Sequence, residues 1–260
     1  MNFPEPPVFE DKLAERKHKL ERLAGAFRIF GRLGFDEGIS GHLTLRDPIL
    51  TDCFWVNPLG LTFTCVSVSD LLLIDKHGNI IAGGKPDRQI YNTAAFAIHH
   101  AIHTARPDAN AACHAHSLYG KAFSAFGKLI DTTVQDACAF YEDLAVYNDF
   151  GGVVLSGNEG ERIAEHLKAC KAVILQNHGL LTVGETIDEA VAWFIFLDRL
   201  CHVQLLQDAA KAGTGKEPIW IGHQEALWTR GVTGTHTAGW NGAQPYYQMI
   251  DQETGGSYKN

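Results

Sequence analysis

Three histidines stand where two short apolar runs end, a place from which strands could hold them over a cleft. His114 and His116 close the run Ala-Ala-Cys-His-Ala-His, and His178 follows the run Ala-Val-Ile-Leu-Gln-Asn. Side chains alternate along a strand, so the imidazoles of His114 and His116 project from one face. A third imidazole from a neighbouring strand end would complete a facial metal site. The spacing therefore predicts a metal centre made of His114, His116 and His178.

The donor set indicates which ions and which chemistry such a centre would support. Three neutral imidazoles suit Zn²⁺, with Fe²⁺, Mn²⁺ and Co²⁺ as alternatives, and three protein ligands leave a position open for substrate or water. A structural zinc site would need four ligands. Hydrogen-bonded histidines at a strand end are the alternative interpretation of a His-x-His pair. The third histidine favours a metalloenzyme.

The composition narrows the class of protein. The chain has 260 residues, of which 45% are hydrophobic and 20% are charged, enough for a sizeable core. Its net charge of −8 disfavours nucleic acid or an anionic membrane as a partner. This charge is still compatible with a local cationic pocket that binds a phosphate. No signal-peptide pattern and no run of about 18 apolar residues occurs. The six cysteines are scattered singly, which predicts buried free thiols in a reducing compartment. We expect a cytoplasmic protein.

The order of predicted elements indicates the architecture. Hydrophobic periodicity and capping signals favour helices at 10–33, 90–104 and 117–126, with two more that begin at the capping boxes Ser156–Glu159 and Thr186–Glu189. Short strands are predicted between 38 and 81 and before the three histidines. This order predicts an α/β or α+β three-layer body over residues 1–212.

The C-terminal segment, residues 213–260, is rich in Gly, Thr and Trp and lacks periodicity. We expect it to be a tail docked on the body or on a neighbouring subunit, because its large aromatic side chains would be costly to leave in water. Those side chains are Trp220, Trp228, Trp240, Tyr246 and Tyr247.

Six motifs in order resemble the class II aldolase/adducin family, over about residues 12–210. They are Gly38-Ile-Ser-Gly-His-Leu-Thr-Leu-Arg46, Phe54-Trp-Val-Asn-Pro-Leu-Gly60, Ser69-Asp-Leu71, Ala101-Ile-His-Thr-Ala-Arg-Pro-Asp108, His114-Ala-His116 and Asn177-His-Gly-Leu180. The resemblance implies a central antiparallel sheet flanked by helices, and homotetramers with active sites at subunit boundaries. It also implies that a divalent metal, chelated by a ketose phosphate or related hydroxy-ketone, stabilises the enediolate formed on carbon–carbon cleavage.

Three departures from the family pattern put phosphate recognition in doubt. A Pro-Ser-Ser-Glu-like segment supplies phosphate-binding serines and a carboxylate in the sugar-phosphate aldolases, and we match it to Pro86-Asp-Arg-Gln89. Gln89 cannot titrate as a base, whereas Arg88 could bind a phosphate or carboxylate, or simply be solvated. His42 replaces a phosphate-binding asparagine, and Leu59-Gly60 replaces a phosphate-facing Thr-Gly. We retain His42, Gly60, Arg88 and Gln89 as candidate substrate-binding residues.

Proton-transfer groups are sought in the segment Gln135-Asp-Ala-Cys-Ala-Phe-Tyr-Glu, where relatives place a catalytic aspartate or tyrosine. Asp136 is the first candidate, with Tyr141 and Glu142 beside it, although an aspartate there could equally cap a turn. His99, His100 and His103 lie on the predicted helix before the metal strand, and we expect them to support the ligands or to pack.

Three hypotheses follow. The first is a lyase resembling L-fuculose-1-phosphate aldolase. The second keeps the same three histidines around Fe²⁺ in an oxygenase or decarboxylase of aryl hydroxy or keto acids, for which missing phosphate ligands would be no defect. The third is an adducin-like, non-catalytic scaffold, which three intact metal-binding histidines disfavour.

Overall fold

The computed structural model describes residues 4–152 and 157–260. The helices are α1 (Lys12–Arg32), α2 (Thr93–Ala105), α3 (Leu118–Ser124), α4 (Gly157–Leu167), α5 (Ile187–Thr214), α6 (His223–Thr233) and α7 (His236–Thr254). The strands are β1 (His42–Arg46), β2 (Phe54–Val56), β3 (Leu72–Ile74), β4 (Ile80–Gly83), β5 (Ala111–Ala115), β6 (Leu144–Tyr147), β7 (Ala172–Leu175) and β8 (Gly179–Gly184). The predicted capping box at Ser156 lies outside the described residues.

All eight strands form one sheet in the order β4-β3-β2-β1-β5-β8-β7-β6. Neighbouring strands are antiparallel except β6 and β7, which run parallel. The prediction of a purely antiparallel sheet is therefore wrong at one edge, where β6 and β7 are parallel. The chain crosses from β6 to β7 through α4, and a helical crossover returns the chain in the same direction, whereas a hairpin reverses it.

Alternation along the strands produces a three-layer structure, as predicted. On β1, Leu43 and Leu45 enter the main core, with α1, α5 and α7 on that face. On β7, Val173 and Leu175 face the other way, toward the smaller core under α2 and α4. A period of two residues therefore supplies both faces of the sheet with apolar side chains.

The long helix α5 begins as its sequence indicates. The side chain of Thr186 accepts a hydrogen bond from the backbone N–H of Glu189, which satisfies a donor of the first turn. At its other end Gly215 adopts a left-handed conformation, with φ of 69°. Half of its 28 residues are buried, and the helix forms the centre of the main core.

Antiparallel register gathers particular strand ends at one end of the sheet. His42 of β1 lies opposite His114 of β5, and Ala115 lies opposite Leu180 of β8. We call this the histidine end, because His116 and His178 lie just beyond it. The start of β3 and the ends of β2 and β4 lie at the same end. The starts of β6 and β7 lie at the opposite end, here called the far end.

The C-terminal segment is mainly helical, although its sequence shows no periodicity. α7 packs on α1 and α5, and Tyr247 is buried there with its hydroxyl donating to the Arg22 carbonyl at 3.0 Å. A Cβ on Gly25 of α1 would lie 2.9 Å from the Tyr247 ring, so glycine permits this approach. Trp220 and Trp228 remain 60% and 74% exposed, so this chain alone does not cover them.

Replacing Tyr247 by alanine is expected to lower the free energy of unfolding by about 3–5 kcal/mol, because it empties a buried aromatic site between α1 and α7. Urea denaturation measures this change. The matched control is Tyr246→Ala, since Tyr246 is only partly buried. Equal losses in the two variants would mean that α7 does not dock as described.

Two further observations concern the cysteines and the apolar character of the helices. Four of the six free cysteines are buried, while Cys65 is exposed and Cys170 is half-buried. No helix within the described parts of the chain combines the length and apolar character needed to cross a bilayer.

Candidate metal centre

The histidine end brings His114, His116 and His178 together, as the sequence predicts. The ring centres of His114 and His178 lie 4.6 Å apart, and that of His116 lies 5.1 Å from His114 and 4.9 Å from His178. One nitrogen from each ring can be chosen so that all three lie within 4.8 Å of one another. We call these three residues the trio.

A tight turn between β7 and β8 presents the third histidine. Asn177 has a φ of 58°, a left-handed conformation that asparagine tolerates better than most residues. The backbone N–H of His178 then donates to the carbonyl of Leu175 at 3.0 Å, which closes the turn. The sequence Gln-Asn-His-Gly therefore reverses the chain and places the His178 ring beside the end of β5.

A backbone hydrogen bond orients the first ligand. Nδ1 of His114 lies 2.8 Å from the carbonyl oxygen of Leu180. A carbonyl can only accept, so Nδ1 carries the proton and Nε2 presents a lone pair. This is the usual way in which a ligating histidine has its tautomer fixed.

The surroundings keep the trio neutral. Burial lowers the pKa of His114 well below its ordinary value, and the neighbouring imidazoles act in the same direction. Burial lowers the pKa of His178 to about 4. The pKa of His116 is lowered first by burial and then by the positive charge of Lys121, against a smaller opposing effect of Glu37. Three neutral rings at pH 7 offer the lone pairs that a divalent cation requires.

The residues fit a divalent metal. Three imidazole nitrogens bound tetrahedrally to one zinc ion at 2.0–2.1 Å would lie about 3.3 Å apart, so small rotations from the present geometry suffice. Among the described residues, the trio is the one group of three or more histidine, cysteine and acidic ligands gathered in this way. No carboxylate joins it. The set of three leaves room for substrate, which is typical of a catalytic site.

Comparison with known proteins identifies the family. A model of the Class II Aldolase and Adducin N-terminal domain matches residues 21–205. The chain belongs to this family. It is 49% identical to the solved L-fuculose 1-phosphate aldolase from Glaciozyma antarctica PI12, covering 98% of this chain and 97% of that chain with a TM-score of 0.91. It is also 45% identical to the Decarboxylase NovR of Streptomyces niveus over 247 residues, 95% of this chain and 88% of that protein.

A further relative has the same level of similarity. The 4-hydroxy-3-prenylphenylpyruvate oxygenase/4-hydroxy-3-prenylbenzoate synthase of Streptomyces roseochromogenus subsp. oscitans is 45% identical, over 95% of this chain and 86% of that protein. Class II aldolases generally depend on a divalent metal ion, and the trio is a set of residues that could bind one. The resemblance inferred from the sequence motifs is confirmed.

His42, a candidate substrate-binding residue, lies next to the trio. Its ring centre is 5.4 Å from that of His114 and 3.9 Å from that of His99 on α2. Burial lowers the pKa of His42 to about 3, and the rings of His178 and His116 add to this effect. A neutral imidazole supplies no positive charge for a phosphate.

Gly60, a second candidate, lies in the turn that follows β2, also at the histidine end. Its φ of 81° is one that glycine adopts without strain. In the same turn, the N–H of Leu59 donates to the carbonyl of Ile90 at 2.7 Å, which ties the turn to the segment before α2. The turn is therefore placed beside the first residue of β1.

Arg88 and Gln89 lie near the outer edge of the sheet. Arg88 contacts the buried carboxylate of Asp70 at 3.4 Å, and Lys85 reaches the same carboxylate at 2.8 Å. The amide of Gln89 donates to the carbonyls of Gly83 and Lys85. The polar groups of Arg88 and Gln89 are thus engaged with Asp70 and with backbone carbonyls of their own segment.

Tyr141 and Glu142 lie at the far end, whereas Asp136 lies against Arg199 and Val203 of α5. Tyr141 and Glu142 directly precede β6, whose first residue Leu144 is level with the start of β7, whereas His178 follows the end of β7. Three residue steps along the strand separate these levels, or about 10 Å. Tyr141 instead contacts His223, its hydroxyl lying 2.9 Å from Nδ1. None of the three residues belongs to the ligand cluster of the trio, and a catalytic role for them stays a prediction.

Two features escaped the sequence reasoning. Glu37 and Lys121 form an ion pair beside His116. Thr44 on β1 bonds both His99 and His103, at 2.7 and 2.8 Å. Because the alternation of β1 predicts that Thr44 projects on the same face as His42, the second contact could have been sought from the sequence. The first joins residues 84 positions apart and had no local signal.

Proposed function

We propose that the chain is a metal-dependent enzyme that cleaves a carbon–carbon bond next to a carbonyl group in a small, phosphate-free, metal-chelating substrate. The convergence of three neutral imidazoles with one open side supports this proposal most strongly. His114, His116 and His178 would hold the ion, most simply Zn²⁺ or Fe²⁺, with Mn²⁺ and Co²⁺ as alternatives. When bound, the ion would polarise the carbonyl and stabilise negative charge on its oxygen.

The absence of free positive charge near the trio favours a substrate without phosphate. Among the described residues of the histidine end, Lys121 pairs with Glu37, while Lys85 and Arg88 pair with Asp70. Buried His42 is neutral. A phosphate dianion would therefore have to break an existing ion pair to gain a cationic partner.

Apolar side chains at the same end suit the rest of the substrate. Three large apolar side chains are between 64% and 67% exposed, namely Ile39, Ile90 and Leu118. Each flanks an element that reaches the site. Ile39 precedes His42, Leu118 follows His116, and Ile90 bonds the turn beside β1. We infer that a 2-oxo or 2-hydroxy acid with an apolar group is the preferred substrate class, consistent with the names of the two Streptomyces relatives.

Aldol cleavage of a hydroxy-ketone is the second candidate. It is favoured by the 49% identity to the Glaciozyma antarctica aldolase across nearly the whole of both chains. For a ketose phosphate, proton transfer would need a further group, since among the described residues the carboxylate beside His116 is that of Glu37, which is paired with Lys121. Asp136, Tyr141 and Glu142 of a second copy are the proposed source, which would require a homo-oligomer, a tetramer by family resemblance.

A comparison of metals and gases tests the proposal. The purified protein is first analysed for metal and then loaded with Zn²⁺ or Fe²⁺. Each form is assayed against an aryl 2-oxo acid and against fuculose, rhamnulose and ribulose phosphates, with and without air. Oxygen-dependent release of CO₂ by the iron form supports decarboxylation, whereas oxygen-independent aldehyde release supports aldol cleavage. A protein that binds neither metal would contradict both and favour an adducin-like scaffold.

We also propose a cytoplasmic location and an arrangement in which residues 1–212 form the catalytic body and residues 213–260 form a docked C-terminal segment. The free cysteines support the first point. The contacts of α7 with α1 and α5 support the second.

A further inference from the structure

A run of hydrogen bonds behind the trio determines where buried protons lie. Nδ1 of His103 is 2.7 Å from the carbonyl oxygen of Ala109, and Nε2 is 2.8 Å from the hydroxyl of Thr44. A carbonyl only accepts, so the proton of His103 is on Nδ1. Nε2 is then an acceptor, and the hydroxyl of Thr44 donates to it. His103 is 1% exposed, so water does not compete for these bonds.

The same logic extends to the next histidine. Because the single proton of the Thr44 hydroxyl is used at His103, its oxygen must accept from Nδ1 of His99, 2.7 Å away. His99 is fully buried and neutral, so its Nε2 carries a lone pair, and this atom has no hydrogen-bond partner among the described residues. We call Ala109, His103, Thr44 and His99 the histidine relay. The relay ends at the lone pair on Nε2 of His99.

That lone pair determines which ring nitrogen of His42 carries the proton. The ring of His42 lies 3.9 Å from that of His99, and its Nε2 is enclosed by protein. Nε2 of His99, the relay's acceptor, lies on the neighbouring ring, and it too is buried and without a partner among the described residues. The proton of neutral His42 is therefore drawn to Nε2. Nδ1 is then left as an acceptor, and the His42 ring lies beside the trio, with its centre 5.4 Å from that of His114.

We propose that His42 is a specificity-determining residue whose Nδ1 accepts a hydrogen bond from a hydroxyl group of the substrate. The histidine relay keeps the proton of His42 on Nε2, which leaves Nδ1 as the acceptor. The inference rests on the proposed function, because it requires a substrate at the trio. An acceptor nitrogen selects an O–H donor and disfavours a phosphate dianion, whose oxygens are themselves acceptors. The substrate is thereby narrowed to one that carries an un-ionised hydroxyl group beside its metal-chelating oxygens.

The first test measures tautomers and does not depend on activity. In zinc-loaded protein with ¹⁵N-labelled histidine, NMR is expected to place the proton of His42 on Nε2 and those of His99 and His103 on Nδ1. Thr44→Val removes the bond that holds His99, so a mixed His42 tautomer is expected. Thr182→Val is the matched control, since Thr182 is equally buried in the sheet but bonds the Ala190 carbonyl. A proton on Nδ1 of His42 in the wild type would overturn the inference.

The second test measures what the acceptor binds. Calorimetry on zinc-loaded protein compares glycolate with methoxyacetate, in which a methyl group replaces the hydroxyl proton. The wild type is expected to prefer glycolate, and His42→Ala is expected to reduce that preference about tenfold, the usual size of one buried hydrogen bond. An equal loss of affinity for both ligands in His42→Ala would contradict the inference, since the hydroxyl proton would then not be what His42 recognises.

Metal content separates this inference from the proposed function. Wild type, His42→Ala and Thr44→Val are all expected to retain one zinc ion per chain, because none of these substitutions removes a ligand. If zinc is bound but the glycolate preference is insensitive to His42, only the inference fails. If zinc is not bound by the wild type, the proposed function fails with it.

Discussion

Replacing His178 by alanine is expected to abolish stoichiometric metal binding and to lower turnover at least about 10³-fold. Loss of a group that merely supports a metal ligand costs 10–100-fold, so loss of one ligand among three should cost more. Plasma mass spectrometry of the dialysed protein measures the bound metal. Turnover is measured with whichever substrate, aryl 2-oxo acid or sugar phosphate, the wild-type protein cleaves. His178 is half-buried and follows the end of β7 in a turn, outside the sheet and its cores, so the fold should survive.

His77→Ala provides the matched control for that experiment. His77 is exposed in the turn between β3 and β4, where only its backbone N–H is bonded, to Asp75. This variant is expected to keep both metal and turnover. A His178→Ala protein that still held one ion per chain would show that the trio is not the metal centre.

Acidification is expected to destabilise the protein well before its carboxylates titrate. The pKa of His103 is lowered by burial to about 3, and burial lowers that of His99 still more clearly below its ordinary value of 6.5. The unfolded chain therefore takes up protons at these residues below pH 6.5, whereas the folded protein does not. Their stabilising effect is complete above pH 6.5 and is lost as the pH falls toward the folded-state pKa.

The magnitude follows from the difference in proton binding. At pH 5 each of these two histidines should lower the free energy of unfolding by about 2 kcal/mol, or about 4 kcal/mol together. Urea denaturation of the metal-free protein between pH 7 and 5 measures the total loss, to which the lowered pKa values of His42, His114 and His178 add. His103→Gln should reduce proton uptake on unfolding by about one, whereas His77→Ala should leave it unchanged. Stability independent of pH in this range would contradict the buried, neutral state of both residues.

The convergence of the three histidines could be predicted because its determinants are local. A His-x-His pair at the end of an apolar run places two rings on one face, and the turn signal Asn-His-Gly marks the next strand end. The three-layer architecture was equally accessible, because alternation along strands and capping of helices are set by near neighbours. Thr186 caps α5 in the manner that its sequence indicates.

Other features depend on contacts between distant segments. The parallel pairing of β6 with β7 results from a crossover whose direction no local pattern encodes. α7 is helical because residues such as Tyr247 bury against α1, although glycines and Pro245 weaken its own propensity. The family-based placement of a proton-transfer group at Asp136 stays a prediction, because Asp136 is not among the ligand groups gathered at the trio and its role depends on contacts beyond those of the described residues.

The protonation of the buried histidines was also beyond the sequence. His99 and His103 were expected to support the site or pack, and both lie buried on the face of α2 that meets β1. Their tautomers follow only from the carbonyl of Ala109 and the hydroxyl of Thr44, which tertiary structure brings within 2.8 Å of the rings.

X-ray absorption spectroscopy of the zinc-loaded protein tests the central claim most directly. The account predicts one ion per chain whose nearest shell contains three imidazole nitrogens at about 2.0–2.1 Å, and loss of that shell in His178→Ala. A shell without imidazole scattering, or a protein that retains no ion after dialysis, would contradict it.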